Sequence, residues 1–224
     1  AAGGTQVVAS KAIDIAGYLG AGTYTTAAGD TAKSIATGIN ALTAKTGVTA
    51  TATTEANLGL GAEAYKLDIT SNNSTAVTVA FSVSGTASTA NDFASAISVI
   101  NAASSKTGVT AEFDATAGGL KLTNTSGNDI TVKNTAAAAN TKLNISGYKL
   151  DGTVVGTQDA KAAAASSVVN GRVTFDSQNS FAVTDAGSGL ALNTNSLTGA
   201  SNGSSQLQAV SSIDVTSYAG SQLA

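Results

Sequence analysis

Residues 30–54 read DTAKSIATGINALTAKTGVTATATT, and residues 91–113 read NDFASAISVINAASSKTGVTAEF. The block Lys45–Ala50 recurs letter for letter as Lys106–Ala111. A shared tripeptide lies at the same offset, as Ile39-Asn40-Ala41 and Ile100-Asn101-Ala102. A repeat with a spacing of this size indicates a duplicated supersecondary unit rather than local low complexity.

Each copy has the pattern of a helix that leads through a glycine into a strand. Apolar residues recur at helical spacing in both copies, at Ile35, Ile39 and Leu42 and at Phe93, Ile97 and Ile100. A lysine and then a glycine close each helix pattern. Alternating residues predict strands that begin at Val48 and at Val109. Asp30 is the expected N-cap of the first helix, and Thr89 with Asp92 resembles a capping box for the second.

Alternating patterns after each copy predict antiparallel strands. The first copy is followed by strand patterns at 65–69 and 77–83, on either side of a turn at 71–74. The second copy is followed by a glycine turn at 118–119 and a second turn at 124–129 with apolar alternation on both sides. The segments KLDITSNN and KLTNTSGND are similar, so we expect the duplication to include the hairpin.

Strand patterns dominate the rest of the chain. Asp151-Gly152 is a hairpin signal, and residues 168–176 with 181–184 predict a further hairpin. Residues 159–167 fit a short helix or a linker, and residues 186–206 fit a loop. The predicted fold class is therefore α+β and β-rich, with two helix-plus-antiparallel-sheet repeat units followed by an all-β hairpin region.

The composition excludes most catalytic and metal chemistry. The 224 residues include no Met, Pro, Cys, Trp or His. Ser-His-Asp sites, Cys-His sites and zinc sites with imidazole or thiolate ligands therefore cannot be built. A net charge of −3 without a basic cluster argues against nucleic acid, and no apolar run approaches the ~18 residues of a membrane span. The missing Met predicts a processed product or an interior fragment of a longer chain.

Three polar features fit structural roles better than functional ones. Glu112 and Asp114 could act as an acid–base pair, but no aromatic platform or third polar group accompanies them. The turn at 124–129 lacks the acidic spacing of a calcium loop. Asn-x-Ser/Thr sequons are expected by chance in this composition, and they occur at Asn72, Asn73, Asn124, Asn144 and Asn202. We therefore predict no catalytic, cofactor-binding or metal-binding residue.

The repeated unit resembles a motif in the variable central region of bacterial flagellins. Its marks are an apolar helix that ends in Ile-Asn-Ala and a following Thr-Gly-Val-Thr-Ala. Both copies carry these marks, at Ile39–Ala50 and at Ile100–Ala111. Related flagellar proteins such as the filament cap share the same repeat.

The end of the chain is similar to the segment through which flagellins re-enter their helical core. Flagellins typically have SIDISTxxGAQ there, and this chain has SSIDVTSYAGSQ at 211–222. Tyr218 and Ser221 depart from the family pattern. Arg172–Val183 resembles the last hairpin before that segment.

The resemblance implies the surface-exposed outer domains of flagellin, without the conserved helical terminal arms. It implies an extracellular structural component of the bacterial flagellum, involved in motility and antigenic surface, with no catalysis and no cofactor. The implied partners are other flagellin subunits, with host receptors or antibodies as further candidates, and the isolated chain is expected to be a monomer. Ser or Thr glycosylation is a further expectation. The alternatives are a filament cap or hook-associated protein, and a bacterial surface adhesin.

Five segments are predicted along the chain. In order, they are an entry segment at 1–29, a first repeat unit at 30–88, a second repeat unit at 89–135, a β-hairpin region at 136–209 and the start of the return to the helical core at 210–224.

Overall fold

The computed structural model describes residues 7–189 and the backbone of residues 201–204. The predicted re-entry segment at 210–224 lies outside the described residues. The strands and helices of the described part are, in chain order, β1 Ala12–Gly17, β2 Gly20–Thr25, α1 Ala32–Asn40, α2 Thr43–Thr46, β3 Val48–Leu60, β4 Ala64–Thr70, β5 Val77–Ser82, α3 Ala94–Ala102, α4 Ser104–Thr107, β6 Thr110–Phe113, β7 Leu120–Asn124, β8 Ile130–Asn134, β9 Leu143–Tyr148, β10 Val154–Asp159, β11 Ser166–Val169, β12 Arg172–Ser177, β13 Ala182–Asp185 and β14 Ser201–Ser204.

The strands form three antiparallel sheets. The first has the order β14-β13-β1-β2, and the second has the order β11-β8-β4-β5. The third has the order β10-β9-β3-β7-β6, with β12 also paired to β3. The predicted α+β, β-rich class is confirmed, because short helices accompany three sheets. No helix among the described residues is long and apolar enough to cross a membrane.

The strand β3 is shared between two parts of the structure. It is 13 residues long, and its first half pairs with β12, from Val48 opposite Ser177 to Thr53 opposite Arg172. From Thr54 onward it pairs instead with β7 and β9, one on each side. One continuous strand therefore connects the part of the fold around α1 with the part around α3.

Two hydrophobic clusters lie along this strand. The smaller one packs α1 against β1, β3 and β13, and its buried members include Ile13, Ile15, Ile35, Ile39, Val48 and Val183. The larger one packs α3 between the remaining sheets, and its buried members include Leu58, Leu67, Phe93, Ile100, Leu122 and Val132. Both predicted helix stripes contribute to these clusters, although Ile97 and Leu42 are only partly buried.

The helix starts differ slightly from the predicted ones. The N-cap of α1 is Thr31, which exchanges hydrogen bonds with Ser34 in a capping box. The expected cap, Asp30, instead accepts a hydrogen bond from the Ser34 hydroxyl at 2.8 Å. The predicted capping box of Thr89 and Asp92 is present. The Thr89 N–H donates to the Asp92 carboxylate at 3.1 Å, and the Asp92 N–H donates to the Thr89 hydroxyl at 3.4 Å. However, α3 itself begins only at Ala94.

Several strand partners differ from the sequence prediction. The predicted hairpin of 168–176 with 181–184 does not form, because β12 pairs with β3 and β13 pairs with β1. Likewise β7 and β8 lie in different sheets, although a turn joins them. Residues 160–165 form no helix. Alternation identifies a buried face but not the neighbouring strand, since all strands offer the same backbone groups.

Truncation of Ile100 tests the packing of α3. Ile100 is fully buried in the larger cluster, so Ile100→Ala should lower the free energy of unfolding by ~2–5 kcal/mol. Ile97→Ala is the matched control on the same helix, and its smaller burial predicts a smaller loss. Urea titration followed by circular dichroism measures both. Equal losses would contradict the assigned buried face.

Candidate functional site

The asparagine of each repeat forms the same pair of hydrogen bonds. The Asn40 side chain donates to the carbonyl of Ala50 at 2.8 Å and accepts from its N–H at 2.7 Å. The Asn101 side chain bonds Ala111 in the same way, at 2.9 and 2.8 Å. The two ends of the repeated motif, Ile-Asn-Ala and Val-Thr-Ala, are therefore joined directly.

The threonine and glycine between these ends also have matching roles. The buried hydroxyl of Thr46 donates to the Leu42 carbonyl at 3.1 Å, and Thr107 donates to the Ala103 carbonyl at the same distance. The next residue, Gly47 or Gly108, has a φ of 73° or 70°. Only glycine adopts that left-handed backbone readily. The repeated letters therefore specify one way of ending a helix and starting a strand.

Each asparagine bonds the edge of the following strand that faces away from the neighbouring strand in the sheet. Asn40 bonds β3 on the side away from β12, and Asn101 bonds β6 on the side away from β7. Ala111 lies opposite Leu122 of β7, yet its N–H and C=O are bonded to Asn101. An antiparallel residue directs both groups to one side, so Asn101 occupies the outer edge of β6. We call this arrangement the asparagine brace. It takes the place of one residue of a neighbouring strand.

A polar groove lies on the six-stranded sheet, lined in part by Glu55, Asp114, Lys121, Tyr148 and Arg172. Glu55 on β3 forms ion pairs with Lys121, at 2.8 Å, and with Arg172. The Lys121 ammonium lies 5.5 Å from the centroid of the Tyr148 ring. The Tyr148 hydroxyl donates to Asp114 at 2.5 Å. Glu55 on β3 therefore pairs with one cation on β7 and one on β12, and Asp114 supplies a second carboxylate to the groove.

The electrostatics of the groove follow from these contacts. Burial alone would raise the pKa of Glu55, but Lys121 and Arg172 hold it below its ordinary value. The hydrogen bond from Tyr148, with those from the backbone of Ala117 and Thr116, lowers the pKa of Asp114. Both carboxylates are thus held ionised by fixed partners, which suits a rigid, charge-balanced surface.

Glu112 and Asp114, which the sequence analysis weighed as an acid–base pair, lie in different surroundings. Glu112 is exposed on β6 and lies 3.9 Å from Lys121. Asp114 follows the strand and accepts hydrogen bonds from the backbone N–H groups of Thr116 and Ala117, at 2.8 and 2.9 Å. Asp114 therefore stabilises the turn between β6 and β7 and belongs to the groove through Tyr148.

Most sequon asparagines take part in hydrogen bonds of the fold. Asn124 is fully buried, and its amide donates to Ser71 and to Asn72. The Asn73 amide donates to the carbonyls of Ile69 and Thr75. For Asn202 the structure describes the backbone alone. The turn at 124–129 is therefore fastened to the turn between β4 and β5.

No group of three or more His, Cys, Asp or Glu side chains that could hold a metal ion occurs among the described residues.

In the turn at 124–129, Asp129 accepts a hydrogen bond from Asn170 at 2.9 Å. Burial raises the pKa of Asp129. This carboxyl group therefore connects the turn to the segment before β12.

Sequence reasoning missed Glu63, which fastens two distant segments. Its carboxylate accepts hydrogen bonds from the backbone N–H groups of Thr141 and Lys142, each at 3.0 Å, and from the Tyr65 hydroxyl at 2.9 Å. Burial alone would raise its pKa, but these bonds lower it to about 2. No local pattern could identify this contact, because the donors of the backbone bonds are remote in the chain.

Comparison with known families relates a segment in the first third of the chain to a described motif. The family model described as the flagellin hook IN motif matches residues 12–64. The matched residues run from β1 to the start of β4 and include α1, Asn40 and Gly47. No curated protein matches the chain. The match supports a flagellin-type protein and confirms the resemblance at the first copy of the repeat, whereas the second copy lies outside the matched residues.

Removal of one asparagine brace tests its contribution to the fold. Asn101→Ala deletes two hydrogen bonds and should lower the free energy of unfolding by about 1–3 kcal/mol. It should also speed hydrogen exchange at the Ala111 amide. Asn91→Ala is the matched control, because Asn91 is exposed and outside the motif. Unchanged exchange at Ala111 in Asn101→Ala would contradict the brace.

The Glu63 carboxylate makes stability depend on acid. Its pKa is about 2 in the folded protein against an ordinary 4.5, so the ionised form stabilises the fold above about pH 4.5. That contribution is lost as the pH falls toward 2. Glu63→Gln should be less stable at neutral pH and should lose less stability over this range. Glu112→Gln, at an exposed site, is the control, and parallel curves for wild type and Glu63→Gln would refute the assignment.

Proposed function

We propose that this flagellin-type chain, whose residues 12–64 match the flagellin hook IN motif, forms surface-exposed structural domains of the bacterial flagellar filament. The family match supports a structural protein of the flagellar filament or hook. We further propose that the chain is exposed on the filament, takes part in motility and forms an antigenic surface.

The observation that carries the proposal is the repetition of one hydrogen-bond pattern. The family match covers Asn40 and Ala50, whereas Asn101 and Ala111 lie beyond residue 64. The second pair nevertheless has the same hydrogen bonds to within 0.1 Å, at 2.9 and 2.8 Å against 2.8 and 2.7 Å. This agreement supports two copies of the flagellin motif in one chain.

The proposed mechanism is mechanical rather than catalytic. Antiparallel sheets fastened by asparagine braces, ion pairs and hydrogen bonds to carboxylates form a stiff unit. The charged side chains of the groove around Glu55 are already paired with one another, so we expect their positions on the surface to be fixed. Other flagellin subunits are the proposed partners, and the flagellum outside the cell is the proposed location. Host receptors and antibodies are proposed as secondary partners of the exposed face.

Glycosylation of Ser or Thr is part of this proposal. Exposed hydroxyls are frequent on the strands, among them Thr49 and Thr110, and they offer attachment positions on the outer faces. The mass of the protein purified from its own cells, compared with the mass of the same chain made without modification, tests this point. Identical masses would exclude the modification.

A hook-associated protein or filament cap is the second candidate. The description of the matched family names the hook, which favours this candidate over an adhesin. The two flagellar candidates predict different positions. A filament subunit repeats along the whole appendage, whereas a hook or cap protein occurs at one end.

Immunogold electron microscopy of the source cells separates these candidates. Antibody raised against this chain should label the whole filament if the proposal is right. Label at the base or the tip alone would instead identify the hook-associated or cap protein, and label on the cell body alone would identify an adhesin. The same antibody after adsorption with the purified chain is the control, and it should leave the filaments unlabelled.

A further inference from the structure

The strand β5 is an open edge of the four-stranded sheet. It pairs with β4 and with no other strand among the described residues. We propose that β5 pairs antiparallel with β5 of a second copy of this chain, about a two-fold axis normal to the sheet. Two four-stranded sheets would thereby join into one continuous sheet. This inference does not depend on the flagellar assignment.

The sequence of β5 suits addition of another strand. Its six residues read VTVAFS and contain no charge, glycine or proline. They form six consecutive pairs with β4 without a register shift, from Val77 opposite Ile69 to Ser82 opposite Ala64. Half of the backbone donors and acceptors of such a strand face away from its partner. Flat, uncharged edges with high strand propensity are the ones that recruit a further strand.

The asparagine brace covers the edge of β6, where Asn101 occupies the backbone groups of Ala111. The edge strand β2 contains Gly20 and Gly22, and glycine weakens a strand because it has no side chain to pack. These two edges are therefore less suited than β5 to the addition of a strand.

The remaining edges are irregular, short or charged. In β10 the register shifts between Val155 and Gln158, and Gly156 has a φ of 66°. The strands β11 and β14 have only four residues each. The strand β12 carries Arg172 and Asp176. Bulges, short length and charge are the usual protections of an edge, and β5 has none of them.

A second copy is the partner that fits this edge. An uncharged strand meets its own copy without like-charge repulsion. A two-fold axis normal to the sheet keeps buried residues on one face and exposed residues on the other. Val79 and Phe81 would then lie on the buried face in both copies, and Thr78, Ala80 and Ser82 on the exposed face. A single pair of strands makes a small interface, so we expect the isolated chain to be a monomer at low concentration and to pair only at high concentration.

Cysteine cross-linking tests the pairing directly, because the chain has no native cysteine. We would make Thr78→Cys, Ala80→Cys and Ser82→Cys and oxidise them singly and in pairwise mixtures. A two-fold pair places one of these combinations within disulfide distance, with Cα atoms about 4.4–6.8 Å apart. At least one combination should give covalent dimers at least ten times faster than Thr110→Cys, which is exposed on the closed edge of β6.

A charge at the same edge provides the second measurement. Ala80 is exposed and lies opposite Lys66 on β4, so Ala80→Glu should keep the monomer folded. Ala80 lies near the middle of β5, so in a pair with its axis at or next to this residue the two glutamates would lie opposite or diagonal to each other and repel. Sedimentation equilibrium at high concentration should show dimers for wild type and for Thr110→Glu but only monomers for Ala80→Glu. Cross-linking no faster than in Thr110→Cys, or equal association of Ala80→Glu and wild type, would overturn the proposal.

Discussion

The continuity of β3 is the constraint on which the rest of the structure depends. This strand gives Val48 to the smaller hydrophobic cluster and Leu58 to the larger one, and it pairs with β12, β7 and β9 along its length. A strand that is hydrogen-bonded throughout resists bending, so the two clusters are held by a stiff connection.

In the asparagine brace, one side-chain amide supplies the two hydrogen bonds that a neighbouring strand would otherwise give to a strand residue. Asn40 and Asn101 satisfy the backbone of Ala50 and Ala111, so each repeated strand can begin beside a helix end. The same bonds close the edge of β6 to other chains. A single residue type therefore contributes both to local folding and to the choice of which edges remain available, and β5 is an uncharged, unbulged edge without an asparagine brace.

The polar groove and the Glu63 contacts place the ionic interactions of the fold at junctions between elements. Glu55 joins β3 to β7 and β12 through Lys121 and Arg172, and Glu63 joins the start of β4 to the segment before β9. The chain has only 11 Lys and Arg and 14 Asp and Glu, and several of these residues, among them Glu55, Lys121 and Arg172, form ion pairs within the fold.

The sequence alone determined the repeated unit. Its helix stripe, its closing glycine and its alternating strand each follow from local periodicity and backbone preference, and they appear in the structure around Ile39, Gly47 and Val48 as around Ile100, Gly108 and Val109. The β-rich class and the resemblance to flagellins came from the same letters. The predicted segment boundaries remain a prediction.

Only the tertiary structure decided which strands lie side by side. The period of two in β12 and β13 marked a buried face, but it could not place β12 against β3 or β13 against β1. Ladder hydrogen bonds use backbone groups that every residue shares, so the partner is selected by how side chains such as Phe175 and Phe181 fill the smaller cluster. The groove around Glu55 and the bonds of Glu63 arise in the same way, from residues that are remote in the chain and meet only after the sheets have packed.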